Sequence, residues 1–313
     1  MARAIEVSAG VSAIIPTWNR RELVQRAIDS ALAQTHPVDE IVVVDDGSTD
    51  GTETALHARY GALMGTRIVY HRQENAGVSA ARNAGMAIAR GRYFALLDSD
   101  DLWRPEKTAR QLEWMEAHPD FGMALCDVVR VDADGRPYDV FRRRDVLIED
   151  GWVLRWLLLN PSLVPASAMF RREVFERCCG FDVALRTAED IDFHLRVARR
   201  WKIGVVEAEL VEAMRGHDGL SAEASTYDDY VKVVERAVAD AGDTVDVTAK
   251  REALAITYAR NARGMLIRKR WRDAWRLWRA ALRQAPDAAS RRQAWALLPF
   301  AAKRFSAALL GRG

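Results

Sequence analysis

The chain has 313 residues, 49% of them hydrophobic and 29% charged. That balance excludes a disordered or collagen-like chain and is enough for one large or two ordinary domains with their own cores. The net charge of +2 hides an asymmetry: residues 251–313 hold 15 Lys and Arg against 3 Asp and Glu, whereas residues 1–250 hold 31 against 41.

Residues 11–16 (VSAIIP) form a short apolar run that ends at a proline, which suits a buried strand. Asn19 stands three residues before Glu22 and marks a helix start, followed by Leu23, Ala27, Ile28, Ala31 and Leu32 at helical spacing. Residues 41–44 (IVVV) are β-branched throughout and read as a buried parallel strand. A helix over 52–60, a strand over 67–71 (RIVYH), an Ala-rich helix over 79–90 and a strand over 93–97 (YFALL) complete the alternation. Strands alternating with helices predict an α/β fold with a mainly parallel, doubly wound sheet and helices on both faces. Beyond Leu102 the pattern loosens. Pro105 opens a helix to about Ala117, residues 121–131 read as a strand, and Asp134-Gly135 as a turn. Residues 187–200 read as a helix with Ile191, Leu195 and Ala198 inward. From Tyr227 onward the pattern is almost entirely helical, so a boundary is expected at 220–226.

Three cysteines, Cys126, Cys178 and Cys179, are not a disulfide framework and suit a reducing cytoplasm. No secretory signal is expected from the first residues. The longest uncharged apolar stretch, residues 156–170, is broken by Asn160, Pro161 and Pro165 and is too short to span a bilayer. Phosphate-loop and dinucleotide glycine patterns, zinc-ligand spacings and a G-x-S-x-G turn are all absent from the sequence.

In a doubly wound sheet, ligands bind beyond the carboxyl ends of the strands. There the sequence places Asp45-Asp46 and Asp98-Ser99-Asp100-Asp101. Carboxylates crowded at one rim repel one another unless a divalent cation or a hydrogen-bonded ligand offsets the charge. If extended backbone persists past the strand, Asp98 and Asp100 point the same way, and their oxygens suit Mg²⁺ or Mn²⁺. The alternative is an acidic turn capping the next helix.

Four segments resolve that choice. They are VSAIIPTWNR from Val11, IVVVDDGSTDGT from Ile41, ENAGVSAARNAGMAIARGRYFALLDSDDLW from Glu74 and CGFDVALRTAEDIDFHLRV from Cys179. In this order, over about residues 11–218, the chain resembles glycosyltransferase family 2. The resemblance implies a GT-A fold and an inverting, metal-dependent transferase using a nucleotide-diphosphate sugar, with a UDP-sugar the expected donor. It implies a glycosyltransferase domain over 1–225, with a nucleotide-sugar half (about 1–103) and an acceptor half (104–225), followed by a helical extension over 226–313.

Carried over residue by residue, the resemblance puts Pro16 and Thr17 where the base packs, Asp46 on the base, and Asp45 in support of that loop. Asn75, Gly77 and Arg82 would line the nucleotide pocket. Asp98 and Ser99 would lie by the ribose and metal. Asp100 would be the principal ligand of Mn²⁺ or Mg²⁺, with His217 near the metal or diphosphate, and Asp190 would be the general base. Glu189 and Trp103 fall on the acceptor side, although packing is the alternative for Trp103. Simpler readings stand beside these. Asp46 also suits a turn, Arg82 a solvated helix face, and Asp190 the first turn of a helix capped by Thr187.

At the carboxyl end, Trp271, Ala274, Trp275, Trp278, Ala281 and Leu282 recur at helical spacing among arginines. Residues 293–310 add Trp295, Phe300, Phe305, Lys303 and Arg304. Such helices either cap the catalytic domain or lie on an anionic membrane surface. No recognition motif accompanies the charge, so no nucleic-acid partner is expected. The expected partners are the nucleotide-sugar donor, a glycan or lipid-linked acceptor and that membrane surface. The expected place is the cytoplasm, with peripheral attachment to the inner face of the membrane. The rival reading is a catalytically idle module of the same fold that binds nucleotide-sugar or partner proteins.

Overall fold

A computed structural model describes residues 8, 10–161, 164–214, 226–288 and 291–292. The chain divides into two compact units. The first draws on Met1–Val153, Leu163–Leu185 and Arg196–Asp218, the second on Leu154–Ser162, Arg186–Leu195 and Gly219–Gly313.

The first unit opens with β1 (Val11–Thr17), α1 (Arg21–Leu32), β2 (Glu40–Asp45), α2 (Thr52–Tyr60), β3 (Ile68–Arg72), α3 (Val78–Ile88) and β4 (Tyr93–Leu96). Every residue of β1, β2 and β4 is buried. Strands covered on both faces need mainly apolar side chains, which is why these runs do not alternate. β1 pairs with β2, β2 with β3 and β1 with β4, all parallel. The chain therefore moves outward from β1 through β2 to β3, then returns to place β4 on the other flank of β1. That reversal makes a topological switch point between β1 and β4, where open α/β sheets hold their ligands. Register levels the rim: Thr17 lies opposite Asp45, and Ile14 opposite Leu96. Helix α3 packs closely on this sheet because Gly85 faces it. A Cβ there would meet the Ile14 methyl at 2.8 Å.

Past the rim come β5 (Asp101–Trp103), α4 (Lys107–Ala117), β6 (Phe121–Val131), β7 (Pro137–Phe141), β8 (Met169–Arg171), α6 (Arg172–Cys178) and β9 (Lys202–Met214). The sheet order is β3-β2-β1-β4-β8-β6-β9-β5, with β7 beside β6. The mainly parallel α/β architecture agrees with the sequence reading. Strands β5, β7, β8 and β9 were not anticipated. β5 and β8 are only three residues long, too short for a period to register. β9 is interrupted by register shifts opposite Cys126–Val128, which break its alternation.

One helix start also differs from expectation. Asn19 does not cap α1; its backbone is left-handed (φ 51°), and its side-chain oxygen accepts from Thr49 N at 2.8 Å. The first turn of α1 is instead capped from a distance, by Asp50 Oδ2 accepting from Arg21 N at 3.0 Å. Asp50 Oδ1 accepts from Thr52 N and Oγ1 as well, so one carboxylate serves the starts of both α1 and α2.

The second unit holds α5 (Leu154–Leu159), the beginning of α7 (Glu189–Ala198), α8 (Thr226–Asp240), α9 (Val247–Ile267) and α10 (Trp271–Gln284). The Thr187 hydroxyl, ahead of α7, donates to Asp229 Oδ2 at 3.2 Å. Asp246 starts α9 by accepting from Ala249 N at 2.8 Å. Ala274, Leu277 and Ala281 turn α10 inward, with Trp271 and Trp278 half-buried against the same core. Trp275, placed in that stripe by its spacing, is 55% exposed and stacks on Trp278 with ring centroids 4.7 Å apart. The helix buries a narrower face than the tryptophan spacing suggests. Residues 293–310, with Trp295, and His217 lie outside the described residues.

Candidate active site

The rim of the first unit is built by three strand ends. At β2, both oxygens of Asp45 are engaged: Oδ1 accepts from Ser48 N (2.7 Å) and Oδ2 from the Tyr70 hydroxyl (2.6 Å). Burial and then this hydrogen bond push the Tyr70 phenol well above its ordinary range. Asp46 has the opposite outlook, toward the loop before α3. Its Oδ1 accepts from Gln73 Nε2 (2.7 Å) and Ala76 N (2.9 Å), and its Oδ2 from Gly77 N (2.8 Å). Asn75 Nδ2 donates to the Asp46 carbonyl at 2.9 Å. A carboxylate offers about four acceptor positions, so one position on Oδ2 remains for a further donor. Gly47 turns the chain between these groups with φ +81°, and a Cβ there would meet Asn75 N at 3.0 Å. At β1, Pro16 and Thr17 are buried. The Thr17 carbonyl accepts from Asp46 N at 2.9 Å, and its hydroxyl is buried without a hydrogen-bond partner.

At β4, the acidic motif is held by two arginines. Arg82, on α3 and 3% exposed, reaches Asp98 Oδ1 at 2.7 Å and lies over the Phe181 ring at 5.1 Å. It is therefore not a solvated helix residue. Arg20, between β1 and α1, reaches Asp100 Oδ2 at 3.0 Å and the Ser99 hydroxyl at 3.4 Å. Both carboxylates keep some exposure, while Ser99 is buried. Trp103 is 4% exposed with Lys107 Nζ over its ring at 4.3 Å, so of its two readings the packing one fits the geometry.

The chemistry of these donors suits Mg²⁺ or Mn²⁺. Such ions take one or two carboxylates and fill their remaining positions with water and phosphate oxygens. Among the described residues no group of three His, Cys, Asp or Glu side chains stands together as a closed cage.

In the second unit, Glu189 is buried and Asp190 half-buried at the start of α7. Asp190 Oδ1 accepts from Ile191 N at 2.8 Å. Its carbonyl lies 2.6 Å from His194 Nδ1, which must carry the proton because a carbonyl can only accept. The structure thus gathers Pro16, Thr17, Asp45, Asp46, Asn75, Gly77, Arg82, Asp98, Ser99 and Asp100 at one rim. Two neighbours escaped the sequence reading, Arg20 and Trp18. Trp18 is 55% exposed, and an aromatic between a buried strand and a helix is the signal that marks it.

Residues 12–179 match the family described as glycosyl transferase family 2. TuaG of Bacillus subtilis (strain 168), whose name assigns it provisionally to teichuronic acid biosynthesis, is 38% identical over 131 residues. That match spans 42% of this chain and 51% of the relative, so the chain covers about half of that protein's length. The S. aureus TarS 1–349 structure in complex with UDP-GlcNAc aligns with a TM-score of 0.68 at 20% identity, over 88% of this chain and 82% of that one. The mannosyltransferase PcManGT from Pyrobaculum calidifontis, in complex with GDP-Man and Mn²⁺, aligns at 0.58 with 22% identity, over 96% and 83%. These two likenesses establish the GT-A fold.

Proposed function

The chain belongs to glycosyl transferase family 2, and from that premise we propose that it is an inverting transferase. It moves a sugar from a nucleotide-diphosphate donor, with UDP the expected nucleotide, to an acceptor hydroxyl. The setting is assembly of a bacterial envelope polysaccharide or glycoconjugate, a reading supported by the name of the TuaG relative. The observation that carries the reading is the set of carboxylates at the switch point. Asp98 and Asp100 lie just past the end of β4, and Asp45 and Asp46 at the end of β2, two strands from it among the parallel strands. The nucleotide-sugars in the TarS and PcManGT structures, and the Mn²⁺ of the latter, support a donor and a divalent ion in this chain too.

A Mg²⁺ or Mn²⁺ ion on Asp100, beside Asp98, would supply positive charge for the departing nucleoside diphosphate. The chain's own residues do the rest. Thr17, Asp46 and the Asn75–Gly77 turn seat the nucleotide, with Asp45 fixing the loop that carries Asp46. Arg82 holds Asp98 in place, and Ser99 spaces the two acidic residues. Asp190, flanked by Glu189, takes the proton of the acceptor hydroxyl. That oxygen attacks the anomeric carbon from the face opposite the diphosphate, whose oxygen leaves with the bonding pair. One displacement inverts the configuration and needs no enzyme nucleophile.

The carboxyl-terminal helices bring the enzyme to the inner face of the membrane, where lipid-linked acceptors lie. The exposed Trp275, with Arg272, Arg276, Arg279 and Arg283 exposed on the same helix, supports this reading. Among the described residues no helix is long and apolar enough to cross a membrane.

The test is a screen of nucleotide-sugars for nucleotide release, with and without Mn²⁺, followed by Asp190→Asn on the selected donor. Turnover should need the metal, and the variant should lose about 10²–10⁴-fold in rate while still binding UDP. An Asp190→Asn enzyme with near-normal turnover contradicts the base assignment. A protein that binds UDP but turns over no donor is the idle module.

A further inference from the structure

The two residues that bracket Asp190 in sequence are both gripped by one face of α8. On the near side, the Thr187 hydroxyl donates to Asp229 Oδ2 at 3.2 Å, with Thr187 3% and Asp229 7% exposed. On the far side, the Asp192 carboxylate, 4% exposed, forms an ion pair with Arg236. Asp229 and Arg236 are seven residues apart, two turns of helix, and so lie on the same face of α8. Between the two tethers the backbone is held in an unusual state. Ala188 has φ 60°, a left-handed conformation that an L-residue keeps only where its surroundings impose it. Asp192 N closes the first turn on the Ala188 carbonyl at 3.0 Å, so the strained residue and the ion-paired one are joined directly. A third link comes from Tyr230, next to Asp229. Burial raises its phenol most, Arg260 opposes, and the Asp190 carboxylate adds to the rise, which places that carboxylate within electrostatic reach of α8.

From these contacts we infer that α8 is part of the acceptor-side machinery, with Arg236 a positioning residue that fixes the Asp190 helix through Asp192. The inference rests on the reading of Asp190 as the base. It also divides the carboxyl-terminal region: α8 serves catalysis, and α10 serves localisation. Removing Arg236 takes away one of the groups that hold the buried Asp192 carboxylate in place. Loosening that hold lets the helix backbone two residues from Asp190 shift. Misplacing a catalytic group by about 1 Å costs roughly 10²-fold in rate.

The experiment compares Arg236→Ala and Arg236→Lys with the native chain. It reads thermal stability, UDP affinity by calorimetry with Mn²⁺ present, and kcat and KM for the donor selected by the screen. For Arg236→Ala, kcat should fall by about 10–10²-fold, with UDP affinity and donor KM within about twofold, because the rim lies on other elements. Arg236→Lys keeps the charge with shorter reach and should recover part of the loss. If the alanine variant does not fold, the lysine variant carries the test through its own reduced kcat at native UDP affinity. Native kcat in a folded Arg236→Ala, or a kcat loss that UDP affinity follows in parallel, overturns the inference. Loss of activity in Asp190→Asn alongside native kcat in both Arg236 variants would overturn this inference and leave the proposed function standing.

Discussion

Lys107 carries its ammonium into the core of the first unit. The side chain is fully buried, donates to Gln111 Oε1 at 2.7 Å and lies over the Trp103 ring. Burial brings its pKa down to about 8. A lysine lowered on folding binds fewer protons folded than unfolded between about pH 8 and its ordinary value of 10.5. Its charge therefore costs stability below that window, and the cost fades as pH rises through it. Replacing Lys107 by Met should raise the melting temperature more at pH 7.5 than at pH 10; an offset independent of pH would contradict this. Asp46 offers a second residue-scale case. Its carboxylate holds Gln73, Ala76 and Gly77, so Asp46→Asn, which turns an amide toward these donors, should cost about 1–3 kcal/mol and also weaken UDP binding. Unchanged stability in denaturant melts would show that the loop does not depend on it. The acidic pairs were legible in sequence because each directly follows an apolar strand. Arg20 was not, because its partners Ser99 and Asp100 lie far along the chain and no local pattern marks such a pair.

At the scale of elements, the long buried strands and the helices between them could be read from apolar runs. The short strands β5 and β8 and the bulged β9 could not, because their stability comes from neighbours contributed by distant segments. The start of α1 was misread for a related reason. The capping pattern at Asn19 and Glu22 is local, but the group that caps α1 is Asp50, from the loop after β2. Burial is the largest single influence on Asp50 and draws it up, but hydrogen bonds from the Thr52 hydroxyl and the Arg21 and Thr52 amides together outweigh it and hold the carboxyl below its ordinary value of 3.8. Its contribution is thus present above the carboxylate range and lost as pH falls through the lowered value. Asp50→Ala removes the starts of two helices at once and should cost about 1–2 kcal/mol. Asp50→Asn should retain most of that stability at neutral pH and lose the acid-side dependence, as followed by melts between pH 3 and pH 7. Equal melting of the native and alanine proteins would contradict the shared cap.

For the whole molecule, the charge asymmetry of the sequence has a structural counterpart: a carboxylate-rich rim on one unit and an arginine-studded α10 on the other. The spacing of tryptophans located α10 but not its exposed side, because helical period alone does not say how wide a face is buried. If α10 meets an anionic membrane, vesicles containing phosphatidylglycerol should co-sediment the protein at low salt. Binding should weaken as salt screens a contribution of about 1 kcal/mol per basic residue, and it should vanish on truncation after Met265. Indifference of the full chain to such vesicles would make these helices a structural cap. The central claim concerns the other unit, where the motif ending β4 is read as the seat of metal and donor together. Calorimetric titration of UDP into the native protein and into Asp100→Ala, each with and without Mn²⁺, tests it most directly. Native protein should bind UDP tightly only with Mn²⁺, and Asp100→Ala should lose that metal-dependent increment while melting as a folded protein. Equal UDP affinity in the two proteins with Mn²⁺ present would contradict the assignment.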